Sequence, residues 1–129
     1  MKDPKNAKKM FNLAAKDFKA LQNMADEALF DVEIFGFHAQ QTVEKLLKAW
    51  LSSLGVKYER THDLQNLFSL LRDNNQIVPA SFEELDYLTD FAVSFRYDSF
   101  ESFDANINRK ELIEKIKQLI NLVQKIISG

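Results

Sequence analysis

The chain has no cysteine, only three glycines and two prolines, and no uninterrupted apolar run near the roughly 18 residues needed to cross a bilayer. Lacking cysteine, it can form no disulfide, thiol nucleophile, cysteine-type zinc site or iron–sulfur centre, which suits a reducing compartment. No secretory leader pattern is present either, so the cytoplasm is the expected location. Scarce glycine and proline argue against many tight hairpins and for long helices joined by few turns. The three glycines lie far apart, so there is no glycine-rich phosphate loop. Charge of one sign is also lacking: 17 Lys and Arg against 19 Asp and Glu give a net charge of −2, which leaves no broad electrostatic footprint for nucleic acid.

What is present is apolar bulk. Hydrophobic residues make up 46% of the 129, and eleven phenylalanines supply much of the core volume. That fits one domain spanning residues 1–129. No internal repeat or low-complexity segment divides it.

Helical periodicity runs through most of the chain. Asp3-Pro4 reads as an N-cap followed by proline at the first helical position. Phe11, Ala14, Phe18, Leu21, Ala25 and Ala28 then recur at three- and four-residue steps, predicting a first helix from about Pro4 into the high twenties. Its lysines (5, 8, 9, 16 and 19) read as a solvated face. Asp31 is the expected cap of a second helix that ends at Gly55. Thr61 is the expected cap of a third, short helix carrying Leu64, Leu67, Phe68 and Leu71. Ser81-Phe-Glu-Glu84 has the form of a capping box and opens a fourth helix, with Leu85, Leu88, Ala92 and Phe95 buried and Tyr87 and Phe91 widening the stripe. Periodicity fails from Arg96 to Ile107. Asn108 with Glu111 opens the last helix, whose Leu112, Ile116, Leu119, Val123 and Ile126 form a heptad-like seam flanked by Ile113, Ile120 and Ile127. The expected fold is all-α, an up-and-down four-helix bundle with an additional short helix and mostly antiparallel neighbours. The width of the last seam suits either core packing or a share in a homodimer contact.

The second helix is the expected central post. Phe35, Ala39, Val43, Leu46, Leu47, Trp50, Leu51 and Leu54 share one broad arc, and Gln40 falls inside it. A buried primary amide needs partners from another helix, a ligand or water. Gln40, Glu44 and Lys48 follow at i, i+4 and i+8 and make a polar edge beside the apolar arc. This edge is the candidate functional surface.

The string Phe37-His-Ala-Gln-Gln-Thr-Val-Glu-Lys-Leu-Leu-Lys-Ala-Trp-Leu51, then Gly55, then Arg60-Thr-His-Asp-Leu64, then Phe95-Arg-Tyr-Asp98, resembles the HEPN domain (higher eukaryotes and prokaryotes nucleotide-binding). The resemblance covers most of the chain. It implies a helical bundle, frequent dimerisation, and association with minimal nucleotidyltransferases. Some members have been proposed to bind nucleotides. Another branch cleaves RNA and includes toxins of toxin–antitoxin pairs. That branch carries an arginine followed, after four to six residues, by a histidine. Here Arg96 has the right place, but Glu101, Ser102 and Phe103 stand where the histidine belongs. Arg60 and His62 are too close together, and in another segment, to replace the pair. Without that imidazole the obvious proton carrier is missing.

The reading is therefore a non-catalytic HEPN module that binds a nucleotide and acts beside a separate nucleotidyltransferase. The alternatives are an RNA-cleaving toxin-like enzyme using Arg96 with His62 or Tyr97, and a purely structural interaction bundle. Candidate ligand-binding residues are Gln40, Gln41, Glu44, Lys48, His62, Arg96 and Tyr97. Arg96 is expected to fork onto Glu44 or, when a ligand is present, onto its phosphate, with Lys48 supplying a second positive charge. Gln40 or Gln41 would bond a base or ribose, and Tyr97 would stack on a ring or close the core. His62-Asp63 reads as a local device at the third helix, Asp63 favouring the positive helix end and the imidazole packing or bonding across the Gly55–Arg60 connector. His38 falls outside the apolar arc and reads as a surface or dimer-contact residue. The two histidines have no metal-ligand spacing, so no metal is expected.

Overall fold

A computed structural model describes residues 2–94 and 107–129, and every regular element in them is helical. In order they are α1 (Pro4–Asn23), α2 (Val32–Leu54), α3 (Leu64–Asp73), α4 (Ala80–Glu83), a 3-10 turn over Glu84–Leu88, α5 (Thr89–Ser94) and α6 (Arg109–Ser128). The result is an all-α bundle. Among the described residues no helix is long and apolar enough to cross a membrane.

Helix α1 starts as its sequence dictates: Pro4 occupies the first turn and the Asp3 carboxylate accepts from the Asn6 amide at 3.0 Å. It stops at Asn23, short of the high twenties. The apolar period continues past that point, but Asp26 breaks the helix by accepting from the Ala28 amide at 2.9 Å, the local side-chain turn that competes with helical bonding. The carbonyl of Met24 is met from across the molecule by the Arg109 guanidinium at 2.9 Å.

Helix α2 is the post around which the others pack. Phe35, Ala39, Val43, Leu46, Leu47 and Leu51 are fully buried and Trp50 nearly so. Gly55 ends α2 in the left-handed conformation, φ 76°, where glycine carries no Cβ penalty. Asp31 sits at the N-cap position, but its side chain makes no capping bond.

The pairings fix the directions. The Asp3 amide donates to the Ser52 carbonyl at 2.9 Å, the Asn6 side chain to the Ser52 hydroxyl at 2.7 Å, and Lys45 pairs with Asp17, so α1 and α2 are antiparallel. His62 meets Glu44, and the Trp50 indole N–H donates to Gln76 at 3.0 Å. The order of these two contacts means that α3 runs beside α2 in the same direction. The connector from Val56 to Asp63 must therefore return along the post before α3 begins.

Two expected caps are replaced. Asp63, not Thr61, caps α3, accepting from the Gln65 amide at 2.9 Å, while Thr61 accepts from the Asp63 amide at 3.0 Å. The Ser81–Glu84 capping box does not form, because α4 begins at Ala80 behind Pro79. Its two glutamates are taken by other helices, Glu83 by Arg72 and Glu84 by Lys115 at 3.5 Å. The chain then tightens into the 3-10 turn, which brings Leu85 and Leu88, three apart, onto one buried edge. Tyr87 faces out at 45% exposure instead of widening that edge.

Helix α6 is capped as expected, with the Asn108 side chain accepting from the Glu111 amide at 3.1 Å. Leu112, Ile116, Leu119 and Val123 are buried, and Ile113, Ile120, Ile126 and Ile127 half-buried.

Gly36, inside α2, gives up about 1 kcal/mol of helix propensity relative to alanine. The Phe91 ring explains it: a Cβ at Gly36 would lie 2.3 Å from a ring carbon, so α5 packs directly on the α2 backbone. Gly36→Ala is expected to lower stability by about 1–3 kcal/mol despite its better propensity, and Phe91→Leu in the same chain should return part of that loss. Urea denaturation of the two variants checks this, and a raised midpoint for Gly36→Ala alone would contradict it.

Candidate functional site

Four of the seven candidate residues lie on α2 and a fifth, His62, just before the α3 cap, and the fold joins them in one network. Gln40 is fully buried, Glu44 is 4% exposed and Lys48 9%. The Gln40 amide nitrogen donates to the Glu44 carboxylate at 3.0 Å and to the His62 carbonyl at 2.9 Å. Its oxygen accepts from the Gln41 amide at 2.8 Å. The buried amide has thus found its partners in the returning connector and its own helix.

Glu44 is the hub. Oε1 accepts from Gln40 and lies 2.8 Å from His62 Nδ1, and Oε2 accepts from Lys48 Nζ at 3.0 Å. A carboxylate with no partner is not tolerated at this depth, because loss of hydration must be offset by donors and opposite charge. Lys48 supplies that charge. Its ammonium also lies 5.4 Å from the centre of the Tyr58 ring, a distance suited to a cation–π contact. The Tyr58 hydroxyl in turn accepts from Asn6 at 3.0 Å. Tyr58 was not among the candidates, and no spacing in the sequence points to it, because it reaches Lys48 only once the connector folds back.

His62 does not bond across its own connector, as its sequence position suggested. Its ring goes to α2. Since a carboxylate oxygen only accepts, Nδ1 carries the hydrogen in this contact and Nε2 is left for other partners. The His62 side chain remains 57% exposed. Ring and backbone carbonyl are both held, by Glu44 and Gln40, so the imidazole is oriented although it faces water.

The expected contact of Arg96 with Glu44, and the stacking of Tyr97, lie outside the described residues. Within them, Glu44 already has its charge matched by Lys48. His38 sits apart from the network: its Nδ1 is buried, accepts and donates no hydrogen bond, and lies 3.6 Å from the Asp17 carboxylate that pairs with Lys45. No three His, Asp or Glu side chains among the described residues are grouped so as to hold a metal ion.

A family model for the HEPN domain matches residues 7–127. The chain belongs to the HEPN domain family. No curated protein and no solved structure matches it. In this HEPN domain the matched region includes both parts of the network, the α2 edge and the connector with His62.

A charged residue missed in sequence is Arg109, 7% exposed. It donates to the carbonyls of Met24 at 2.9 Å and Asp26 at 3.4 Å, and its guanidinium lies 4.9 Å from the Phe35 ring centre. One signal was available: arginine in the first turn of a helix opposes the helix dipole, so it needs compensation from elsewhere.

The network predicts a large coupling. Glu44→Leu alone should lower stability by about 3–5 kcal/mol, because Lys48 is left buried without its partner. Glu44→Leu with Lys48→Met should lose markedly less. A double-mutant cycle in urea measures this, and additive losses would refute the pairing.

Proposed function

We propose that this HEPN domain is a nucleotide-binding module without cleavage chemistry of its own, working as a homodimer beside a separate minimal nucleotidyltransferase. Family membership supports a nucleotide-binding or ribonuclease-like module. The observation that favours binding is the network itself: a buried carboxylate already matched by Lys48 supports an oriented, outward-facing His62. A fixed donor or acceptor at the rim of a satisfied polar cluster is suited to recognising a ligand group without first rearranging the core. Gln41, half-buried beside it, adds a second amide. Arg96 and Tyr97 complete the proposed set by their place in the family motif.

The ribonuclease alternative needs an acid–base group paired with the arginine, and the family's histidine is replaced in this chain by Glu101, Ser102 and Phe103. For dimerisation, support comes from the flank of α6, where Ile113, Ile120 and Ile127 are only half-buried.

Isothermal titration of the full chain with the four ribonucleoside triphosphates is expected to show saturable binding to at least one, in the micromolar to millimolar range. Gln41→Ala and Arg96→Ala should each weaken it by about tenfold, the order of one lost polar or charge-assisted contact. RNA incubated with wild type and with Arg96→Ala should show the same background cleavage. Absence of saturable binding up to millimolar nucleotide, or cleavage that disappears in Arg96→Ala, would overturn the proposal.

A further inference from the structure

We infer that the pocket between the start of α1 and the end of α2 is a second binding site, and that its ligand is a neutral cyclic imide, the O=C–NH–C=O group that uracil and thymine rings carry. The pocket lies outside the ligand set proposed above and is joined to the α2 edge through the contact of Lys48 with the Tyr58 ring.

The pocket has a volume of about 360 Å³, and Asp3, Asn6, Ser52, Lys57 and Tyr58 line it where the chain turns at Gly55. That volume is at the lower end of the range for small-molecule sites. Backbone bonds pin its walls. The amides of Asp3 and Gly55 both donate to the Ser52 carbonyl, at 2.9 and 3.0 Å, and the Val56 amide donates to the Leu51 carbonyl at 3.0 Å. Walls held in this way lose little freedom when a ligand enters.

Three of its polar side chains leave hydrogen-bonding capacity unused. The Asn6 side-chain nitrogen donates to Ser52 Oγ at 2.7 Å and to the Tyr58 hydroxyl at 3.0 Å. Each hydroxyl oxygen thus receives a hydrogen and keeps its own to give. Among the described residues neither hydroxyl donates to a protein group. Ser52 is 4% exposed and lines the pocket, so the pocket is where its hydrogen is given. Asn6 Oδ1 accepts no hydrogen bond and is not sealed in the core. The cluster therefore offers two donors and one acceptor, and because Asn6 bonds to both hydroxyls, its carboxamide stands between them. The complement is a donor flanked by two acceptors, as in an imide, whose N–H would go to Asn6 Oδ1 and whose carbonyls would accept from Ser52 and Tyr58. Cytosine, with its donor at one end of the edge, leaves one of these groups unmet at a cost in affinity. Charge selects a neutral ligand: Asp3 and Lys57 are exposed and of opposite sign, and the Asp3 carboxylate accepts the Asn6 backbone amide, so the pocket has no surplus charge to hold a phosphate or a cation.

The test titrates the nitrogen-15-labelled full chain with uridine, uracil, N3-methyluridine and cytidine and follows its amide resonances. Uridine and uracil are expected to shift the amides of Gly55, Val56 and Lys57 saturably, with a Kd of about 1 mM, the strength of a few net hydrogen bonds. N3-methyluridine, which lacks the N–H, and cytidine should bind at least about fivefold more weakly, the order of one lost hydrogen bond. Tyr58→Phe keeps the ring beside Lys48 and leaves the Asn6–Ser52 bond in place, so it should keep its thermal midpoint and weaken uridine about fivefold. Ser52→Ala is expected to weaken uridine to the same degree. Gln41→Ala and Arg96→Ala, which belong to the other ligand set, should leave uridine affinity unchanged. Equal binding of uridine and N3-methyluridine, no saturable shift of these amides at about 10 mM, or wild-type affinity in both Tyr58→Phe and Ser52→Ala overturns the inference. Each of those results leaves the triphosphate titration of the first site to be judged on its own.

Discussion

A single carboxylate, that of Glu44, sets the terms on which this bundle closes. It lies on the helix that every other long element packs against, at a depth where an unmatched charge would destabilise the fold by several kcal/mol. Three groups answer it: an amide and an ammonium from its own helix, and an imidazole from the returning connector. The first two come with the α2 backbone at intervals of four residues. The third has to be brought back along the helix, and bringing it there fixes where the connector turns and where α3 starts. Gln40 strengthens the same constraint by holding the His62 carbonyl. The polar edge thus determines chain topology as well as local chemistry.

Two further contacts cooperate with it at the other end of the post. Arg109 closes the junction of α1, α2 and α6 by donating to carbonyls released where α1 stops and by lying on the Phe35 ring. Gly36, one residue along, lets Phe91 reach the α2 backbone. These neighbours explain why the lower part of α2 tolerates a glycine and why an arginine is retained in the unfavourable first turn of α6: in each case a tertiary contact outweighs a local preference of about 1 kcal/mol.

That balance also explains what could be read from residues alone. The α2 arc, the Gly55 stop, the Asp3-Pro4 start and the Asn108 cap all depend on intervals of four residues or fewer, and each appears in the structure. The buried Gln40–Glu44–Lys48 edge was legible for the same reason. The end of α1, the α3 cap and the missing capping box were not, because each is decided by competition: Asp26 against the continuing apolar period, Asp63 against Thr61, and Lys115 against Ser81 for Glu84. The His62–Glu44 and Lys48–Tyr58 contacts are 18 and 10 residues apart in sequence, and nothing in the residue pattern states that the connector doubles back.

The same hydrogen bonds that satisfy the buried edge also dock the third helix. The imidazole of His62 has one nitrogen tied to Glu44, its carbonyl is held by Gln40, and the nearest buried cation is spent on the same carboxylate. Pulling the ring away would remove a donor from Glu44 and loosen the start of α3, so the α2 edge and the α3 start form one cooperative unit in which neither is satisfied without the other.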